Sequence, residues 1–504
     1  MTEKQSPQVK RVKTSGKKNL IINAFLMSSP GCQTINSWRN EADKTALSAE
    51  SPEYWIELGK VLEDGGFTAA FFADVLGPYD VYNGPGNFKP VAKAGAQWPL
   101  PDPSYYIPIL ASVTKRLAFG ITISTISEHP YHLARRLGTL DLISGGRVGW
   151  NVVTSYLDSA SRNLLNGNTL PDKVERYEKA EEYVDVVYKL FLSSWQDGAI
   201  KADKKRGVFT DPNGLRTIDH EGKHYKVPGP GLTQPSKQKM PVIIQAGLSP
   251  KGRELAARNA EVVFLNYPTK ESLKEGIDSI RNLAKEKFGR DPSKIKIITM
   301  ITVIIGDSDA EVKQKIDQIR ALGDEEAALA MFSGWSGVDI GKFADDEPLD
   351  KLDNGALVSI IQAWKAAYSD NEVWTKRQII ERVTLAGSGH IFTGTAASIA
   401  DQIQEWVEYS GLDGINFAYT SSPGAFKDIA EKLIPELRIR GLVPSKEELA
   451  NANETGLSFR EQVFGTNELD DTHPASALRW KSNETKEEFE ARFPKALEKL
   501  HATL

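Results

Sequence analysis

The residues best suited to chemistry in this chain follow short apolar runs. Asp74 comes directly after Thr68–Ala73, Thr122 and Ser124 end a second run, and Asn151, Thr154 and Ser155 end a third. Acids, hydroxyls and amides at the carboxyl ends of barrel strands are the groups such a fold turns toward a ligand. Turn formation and capping use the same residue types, so both readings stand at this point. The segment Gln245-Ala246-Gly247-Leu248-Ser249-Pro250 leaves a strand through glycine and enters a helix at a hydroxyl. That geometry presents free backbone N–H groups and the positive end of a helix dipole, which suits a phosphate; an ordinary N-capped helix has the same spacing. Arg176 and Tyr177 open a nearby helix and would add a charge-assisted contact and a phenol donor.

What is missing narrows the chemistry. No Gly-x-Gly-x-x-Gly follows a strand, and there is neither a phosphate-binding P-loop nor a His-Glu-x-x-His pair. His129 and His132 have helix-like spacing but no third ligand, so no metal site is expected. His129 and the single cysteine, Cys32, are the two candidates for acid–base work, and each also reads as structural. One cysteine excludes an internal disulfide framework and points to a reducing, cytoplasmic setting. A net charge of -5 with 26% charged residues asks for neither nucleic acid nor membrane. No apolar run approaches the ~20 residues that span a bilayer.

These residues need strands and helices to position them. Eight apolar runs bounded by turns read as strands: Leu20–Phe25, Thr68–Ala73, Leu117–Ser124, Arg147–Val153, Pro241–Ala246, Glu261–Leu265, Lys296–Ile305 and Gly414–Ala418. Most lack alternation, as strands buried on both faces do, and each is followed by enough chain for a helix. The expected fold class is α/β, a single (β/α)8 barrel spanning 19–445 with insertions at about 196–240 and 321–395. Ser51-Pro52 and Ser249-Pro250 read as helix starts, and Gly65-Gly66 as a helix end. Residues 1–18 form a basic tail expected to be disordered, and 446–504 an extension expected to pack on the barrel or on a partner. The insertions, with Trp335, Trp364 and Trp374, are expected to build the pocket.

Five segments carry a resemblance. They are FFADVLGPYDVY at 71–82, EHPYHLARRLGTLDLISGGRVGWNVVTSYLDSASRN at 128–163, ERYEKAEEYVDVVYKL at 175–190, PVIIQAGLSPKGRELAARNAEVVF at 241–264 and FSGWSGVDI at 332–340. In this order they resemble the two-component flavin monooxygenases typified by nitrilotriacetate monooxygenase, dibenzothiophene-sulfone monooxygenase and the pristinamycin IIA synthase subunit, within the bacterial-luciferase-like superfamily. The resemblance implies FMN, used as FMNH2, at the carboxyl face of the barrel. It puts Asp74 and Asn151 near the isoalloxazine and Ser124, with Thr122 on the same strand face, beside it. Ser155, Arg176, Tyr177, Gly247 and Ser249 fall toward the phosphate. It further implies O2 and a small organic substrate such as a sulfone, aminocarboxylate or alkane, oxidised through a flavin C4a-(hydro)peroxide. A separate NAD(P)H:FMN oxidoreductase would supply the reduced flavin, and relatives commonly form homo-oligomers.

The sequence also departs from that family. Many relatives have histidine where this chain has Lys173, and Cys and His where it has Ser29 and Cys32. These departures keep two alternatives open: hydride transfer with a flavin or deazaflavin, and flavin binding without turnover.

Overall fold

A strand that is apolar on both faces needs a parallel neighbour on each edge, and closing a ring satisfies every edge at once. The computed structural model, which describes residues 19–247, 249–351, 355–368 and 373–501, does this with eight strands. The basic segment 1–18 lies outside the described residues, as do Leu248 and the last residues of the expected extension, 502–504. In chain order the strands are β1 (Ile21–Leu26), β2 (Ala69–Phe72), β3 (Ala118–Ser124), β4 (Val148–Val153), β5 (Val242–Ala246), β6 (Val262–Phe264), β7 (Lys296–Ile305), β8 (His390–Gly394) and β9 (Gly414–Ala418). All but β8 form the ring: β1 through β7 pair in succession, β7 pairs β9, and β9 returns to β1, every ladder being parallel. Each strand expected from the sequence lies within one residue of these bounds.

β8 was not anticipated. Its burial is partial and it falls inside the second insertion, where nothing in its pattern separates it from loop. It exists because β7 is long. β7 pairs β6 at Lys296–Ile298 and β9 at Ile298–Thr302, while Ile301–Ile305, past the end of β6, takes β8 as a further neighbour. The first insertion likewise holds two small antiparallel hairpins, Ile200–Asp203 with Val208–Thr210 and His220–Glu221 with Lys226–Val227.

The barrel interior is packed. Phe264 on β6 lies 5.9 Å from Phe25 on β1 and 6.0 Å from Phe71 on β2, strands that are not its neighbours, so the three rings meet across the axis. Below them, Asn23 Nδ2 donates to Asn416 Oδ1 at 2.9 Å across the β1–β9 seam. The floor is closed by Phe459, 1% exposed, from the C-terminal segment. A Cβ at Gly149 would stand 2.8 Å from the Phe459 ring, so this strand position has room only for glycine.

Helices follow the strands as the caps dictate. α1 (Pro52–Gly65) starts at Ser51, whose hydroxyl accepts from Tyr54 N, and stops at Gly66 with φ 86°. α2 (Pro130–Ile143) follows β3, α3 (Lys173–Leu192) follows β4, and α4 (Pro250–Asn259) follows β5. Over the mouth, α5 (Glu325–Ser336) and α6 (Lys376–Ala386) of the second insertion join Tyr79 and Leu157 from the loops after β2 and β4 in a separate apolar cluster.

Candidate functional site

Register decides which side chains meet at the carboxyl end. β3 and β4 pair Thr122 with Asn151, so both project to the same side, and Asn151 Nδ2 donates to Thr122 Oγ1 at 2.8 Å. Both are buried, and Asn151 Oδ1 has no partner among the described residues. Just beyond β4, Ser155 adopts φ 61°, a conformation side chains seldom take, and this brings its hydroxyl to 2.8 Å from Ser124 Oγ. Thr302, on the upper part of β7, buries a hydroxyl that also has no partner.

A second group forms where β5 runs into α4. Ser249 is the N-cap of α4, its hydroxyl accepting from Gly252 N at 3.1 Å. Tyr177, in the first turns of α3, places its hydroxyl 3.4 Å from Ser249 Oγ. Two glycines make the approach possible. A Cβ on Gly247 would lie 3.0 Å from the Gly252 backbone, and one on Gly252 would lie 3.0 Å from the Tyr177 hydroxyl and 3.1 Å from Ser249 Oγ. Gln245 Oε1, on β5, and Arg176 Nε, next in sequence to Tyr177, are buried without partners among the described residues. Because β4 and β5 are paired at Asn151 and Ile244, the two groups stand on adjacent strands.

Asp74 extends the row to β2. Burial, with Asp102 nearby, pushes its carboxyl up to about 7 against the pull of Arg136 and the Val75 amide. Asp74, Thr122, Ser124, Asn151, Ser155, Gly247 and Ser249 thus lie along the ends of four consecutive strands, with Tyr177 reaching over from α3 and Arg176 preceding it on that helix.

The two acid–base candidates sit differently. Cys32 is buried, its carbonyl accepting from Gln97 Nε2 at 2.7 Å, and burial pushes its thiol far up, which holds it protonated. His129 caps α2, Nδ1 accepting from Tyr131 N at 3.3 Å. Among the described residues no hydrogen bond joins either side chain to the row. Lys173 is the exposed first residue of α3, behind the N-cap Asp172, and Ser29 donates to the Gly31 carbonyl.

Sequence reasoning missed a phenol network above the row. The Tyr79 hydroxyl donates to Gln97 Oε1 at 3.0 Å, lies 2.7 Å from the Tyr156 hydroxyl, and accepts from Trp335 Nε1 at 3.2 Å. It joins the loops after β2 and β4 to the second insertion and, through Gln97 Nε2 and the Cys32 carbonyl, to the loop after β1. Tyr79 and Tyr156 lie within two of the quoted segments, but nothing in their spacing foretold that they would touch.

The comparisons with known proteins bear on this arrangement. The family described as luciferase-like monooxygenase matches residues 34–414. Dimethyl-sulfide monooxygenase of Hyphomicrobium sulfonivorans is 40% identical over 466 residues, 92% of this chain and 94% of that one. Among solved structures, a long-chain alkane monooxygenase superposes with TM-score 0.80 at 38% identity, covering 92% of this chain and 100% of the other. A riboflavin lyase holding a modified FMN and riboflavin also gives TM-score 0.80, at 28% identity and the same coverage. Further members are named as monooxygenases of dibenzothiophene sulfone and, as a component A, of nitrilotriacetate. The chain belongs to the luciferase-like monooxygenase family and is a flavin-dependent monooxygenase of its two-component kind.

Proposed function

We propose that the row from Asp74 to Ser249 holds reduced FMN, and that the enzyme uses it with O2 to oxygenate a small, uncharged organic substrate. The observation that carries this reading is the set of buried polar atoms left without partners along the row: Asn151 Oδ1, Gln245 Oε1 and Arg176 Nε. A buried donor or acceptor without a partner costs roughly 1–3 kcal/mol, and a ligand with matching polar groups removes that cost. The turn at Gly247–Gly252 adds a helix N-terminus, a hydroxyl, a phenol and close-packed backbone, a donor set suited to a phosphate monoester. The residues present therefore fit a phosphorylated flavin. Ser249, Tyr177 and Arg176 would take the phosphate, Ser124 and Ser155 the chain next to it, and Asn151, Thr122 and Asp74 the polar edge of the ring.

When bound, reduced FMN supplies the two electrons that let O2 deliver one oxygen atom to the substrate and the other to water. This chain's residues position and shield. The rings of Tyr79, Phe332, Trp335, Trp364 and Trp374 and the side chain of Leu157 roof the mouth and exclude water. Asp74, titrating near neutrality, can hold a proton at its carboxyl, and the Tyr79 and Tyr156 hydroxyls can pass one between them. The apolar roof favours an uncharged sulfide, sulfone or alkane over an aminocarboxylate. A separate NAD(P)H:FMN oxidoreductase supplies the cofactor, and the chain works as a homo-oligomer in the cytoplasm.

The test is direct. FMN and FMNH2 are titrated against the protein, and a flavin reductase, NADH and O2 are then added with dimethyl sulfide, dibenzothiophene sulfone, a long-chain alkane or nitrilotriacetate. Oxygenated product from one of the first three is expected; no uptake of flavin in either redox state would overturn the assignment.

A further inference from the structure

At the opposite end of the barrel from the row lies a cavity of about 530 Å³. Its walls are the residues leading into β5 and β6, the turn before β7, and the C-terminal segment from Arg460 to Asn483. Most of its charges cancel. Arg460 grips Glu261 with Nε at 2.6 Å and Nη2 at 2.9 Å, and Asp197 takes Arg479 Nε at 2.8 Å and Lys239 at 3.2 Å. Arg290 is the exception. It is 3% exposed, its Nη1 donates to the Ala257 carbonyl at 2.9 Å, its Nε has no partner, and no carboxylate among the described residues pairs with it. Lys294 and Lys481 on the same cavity form no ion pair among the described residues either.

The nearest acids do not fill the gap. Asp470 turns its carboxylate to the Thr472 amide at 2.9 Å and to the Thr472 hydroxyl, and acts on Arg290 only through space. His473 reports the local field. Its Nε2 meets the Asn259 carbonyl at 2.8 Å, and burial, then the charges of Arg290, Arg460 and Arg258, push its pKa well below the usual histidine value. Arg290, Lys294 and Lys481 thus put three cations without ion-pair partners among the described residues on the cavity wall.

We propose that this cavity binds a small organic polyanion, a phosphate ester or a polycarboxylate, with Arg290 as its anchor. A guanidinium is a planar fork that matches both groups, and a buried cation without a counter-ion is costly enough to favour a ligand that provides one. Capping the end of α4 through Ala257 explains one of the Arg290 nitrogens and leaves the rest of the fork without a role. Leu192, Met240 and Phe464 line the same space and give an organic moiety apolar contact. The volume suits a molecule of metabolite size.

Calorimetric titration of the FMN-saturated protein with pyrophosphate and, separately, with citrate tests this. At least one of them is expected to bind at one site per chain, more weakly as salt rises. Arg290→Met is expected to lower that affinity at least ten-fold. Because this change also uncaps α4, the exposed double variant Lys294→Glu/Lys481→Glu is measured beside it, and is expected to weaken binding several-fold with an unchanged thermal midpoint. Affinities all weaker than about 10 mM, or binding that neither variant alters, would overturn the proposal. The outcome is read against the floor variants, so it stands apart from whether flavin occupies the mouth.

Discussion

The two ends of the barrel treat their buried polar groups differently. At the floor three networks are saturated, beside the unpartnered Arg290 Nε. Arg460 meets both oxygens of Glu261 and the carbonyls of Gln238 and Met240; Asp141 accepts from Ser236, from Gln238 at 2.8 Å and from Val148 N at 3.1 Å. Arg147 donates to Thr114 Oγ1 and to the Leu117, Ser144 and Ala111 carbonyls. At the mouth Asn151, Gln245, Thr302 and Arg176 each bury an atom with no partner among the described residues. Folding alone explains these three networks at the floor, because each of their groups finds what water would have given it. The pattern at the mouth is the one that the proposed ligand would relieve.

The sharpest way to break this contrast is to cut one floor contact and one mouth contact and compare. Arg460→Met strands Glu261 in the interior and is expected to cost about 3–5 kcal/mol of stability. That loss should appear as a lower urea midpoint, with much of it recovered in the Arg460→Met/Glu261→Leu double variant. A floor built for stability requires this; an unchanged midpoint would mean the network does little. Arg176→Met makes the opposite prediction: flavin affinity drops roughly ten- to a hundred-fold, the loss of one charge-assisted contact, while the unfolding free energy from urea titration stays within about 0.5 kcal/mol of wild type. Fluorescence quenching of FMN and urea titration on the same samples decide between the two.

This division also marks what the sequence could show. The ring strands were legible because Ile, Val and Phe runs bounded by Gly, Pro and Ser need nothing beyond local pattern, and β7 was found with both ends correct. What local pattern cannot express is where a long strand stops sharing its neighbours, so β8 stayed hidden in the second insertion. The candidate site was legible in part for the same reason. Strand ends mark Asp74, Thr122, Ser124 and Asn151, a helix opening marks Arg176 and Tyr177, and the resemblance then gives each a place about the cofactor. The Tyr79–Tyr156–Trp335 contact joins residues from three separate loops, and only tertiary structure brings these together. The Arg290 cavity was equally invisible, since it depends on which floor arginines find a carboxylate.

A smaller effect sharpens the picture at the turn into α4. Gly252→Ala adds one methyl 3.0 Å from the Tyr177 hydroxyl and 3.1 Å from Ser249 Oγ, closer than such contacts normally sit. These two are side-chain ends and can move, the Gly247 Cα at 3.2 Å is backbone and must give by a few tenths of an ångström, and alanine is otherwise the better helix residue by about 1 kcal/mol. Stability should therefore hold while flavin affinity falls several-fold, because the shifted pair is the one proposed to face the phosphate. An FMN affinity equal to that of wild type would remove the phosphate from this turn.

The finest test concerns Asp74, the mouth's one acid with a pKa moved to about 7. In the unfolded chain an aspartate titrates near ~3.9, so between about pH 4 and 7 the folded protein keeps a proton that the unfolded chain has released. A raised carboxyl pKa means that stability from this group is greatest below the lower value and is lost as pH rises through the upper one. Measured without flavin, the urea midpoint of wild type minus that of Asp74→Asn should fall across this window and level off above it. Asp43 and Asp141, each raised to about 6, cancel in the difference because both proteins contain them. A flat difference curve would mean that Asp74 is ionised throughout, and it would then face a bound ring only as an acceptor, never as a donor.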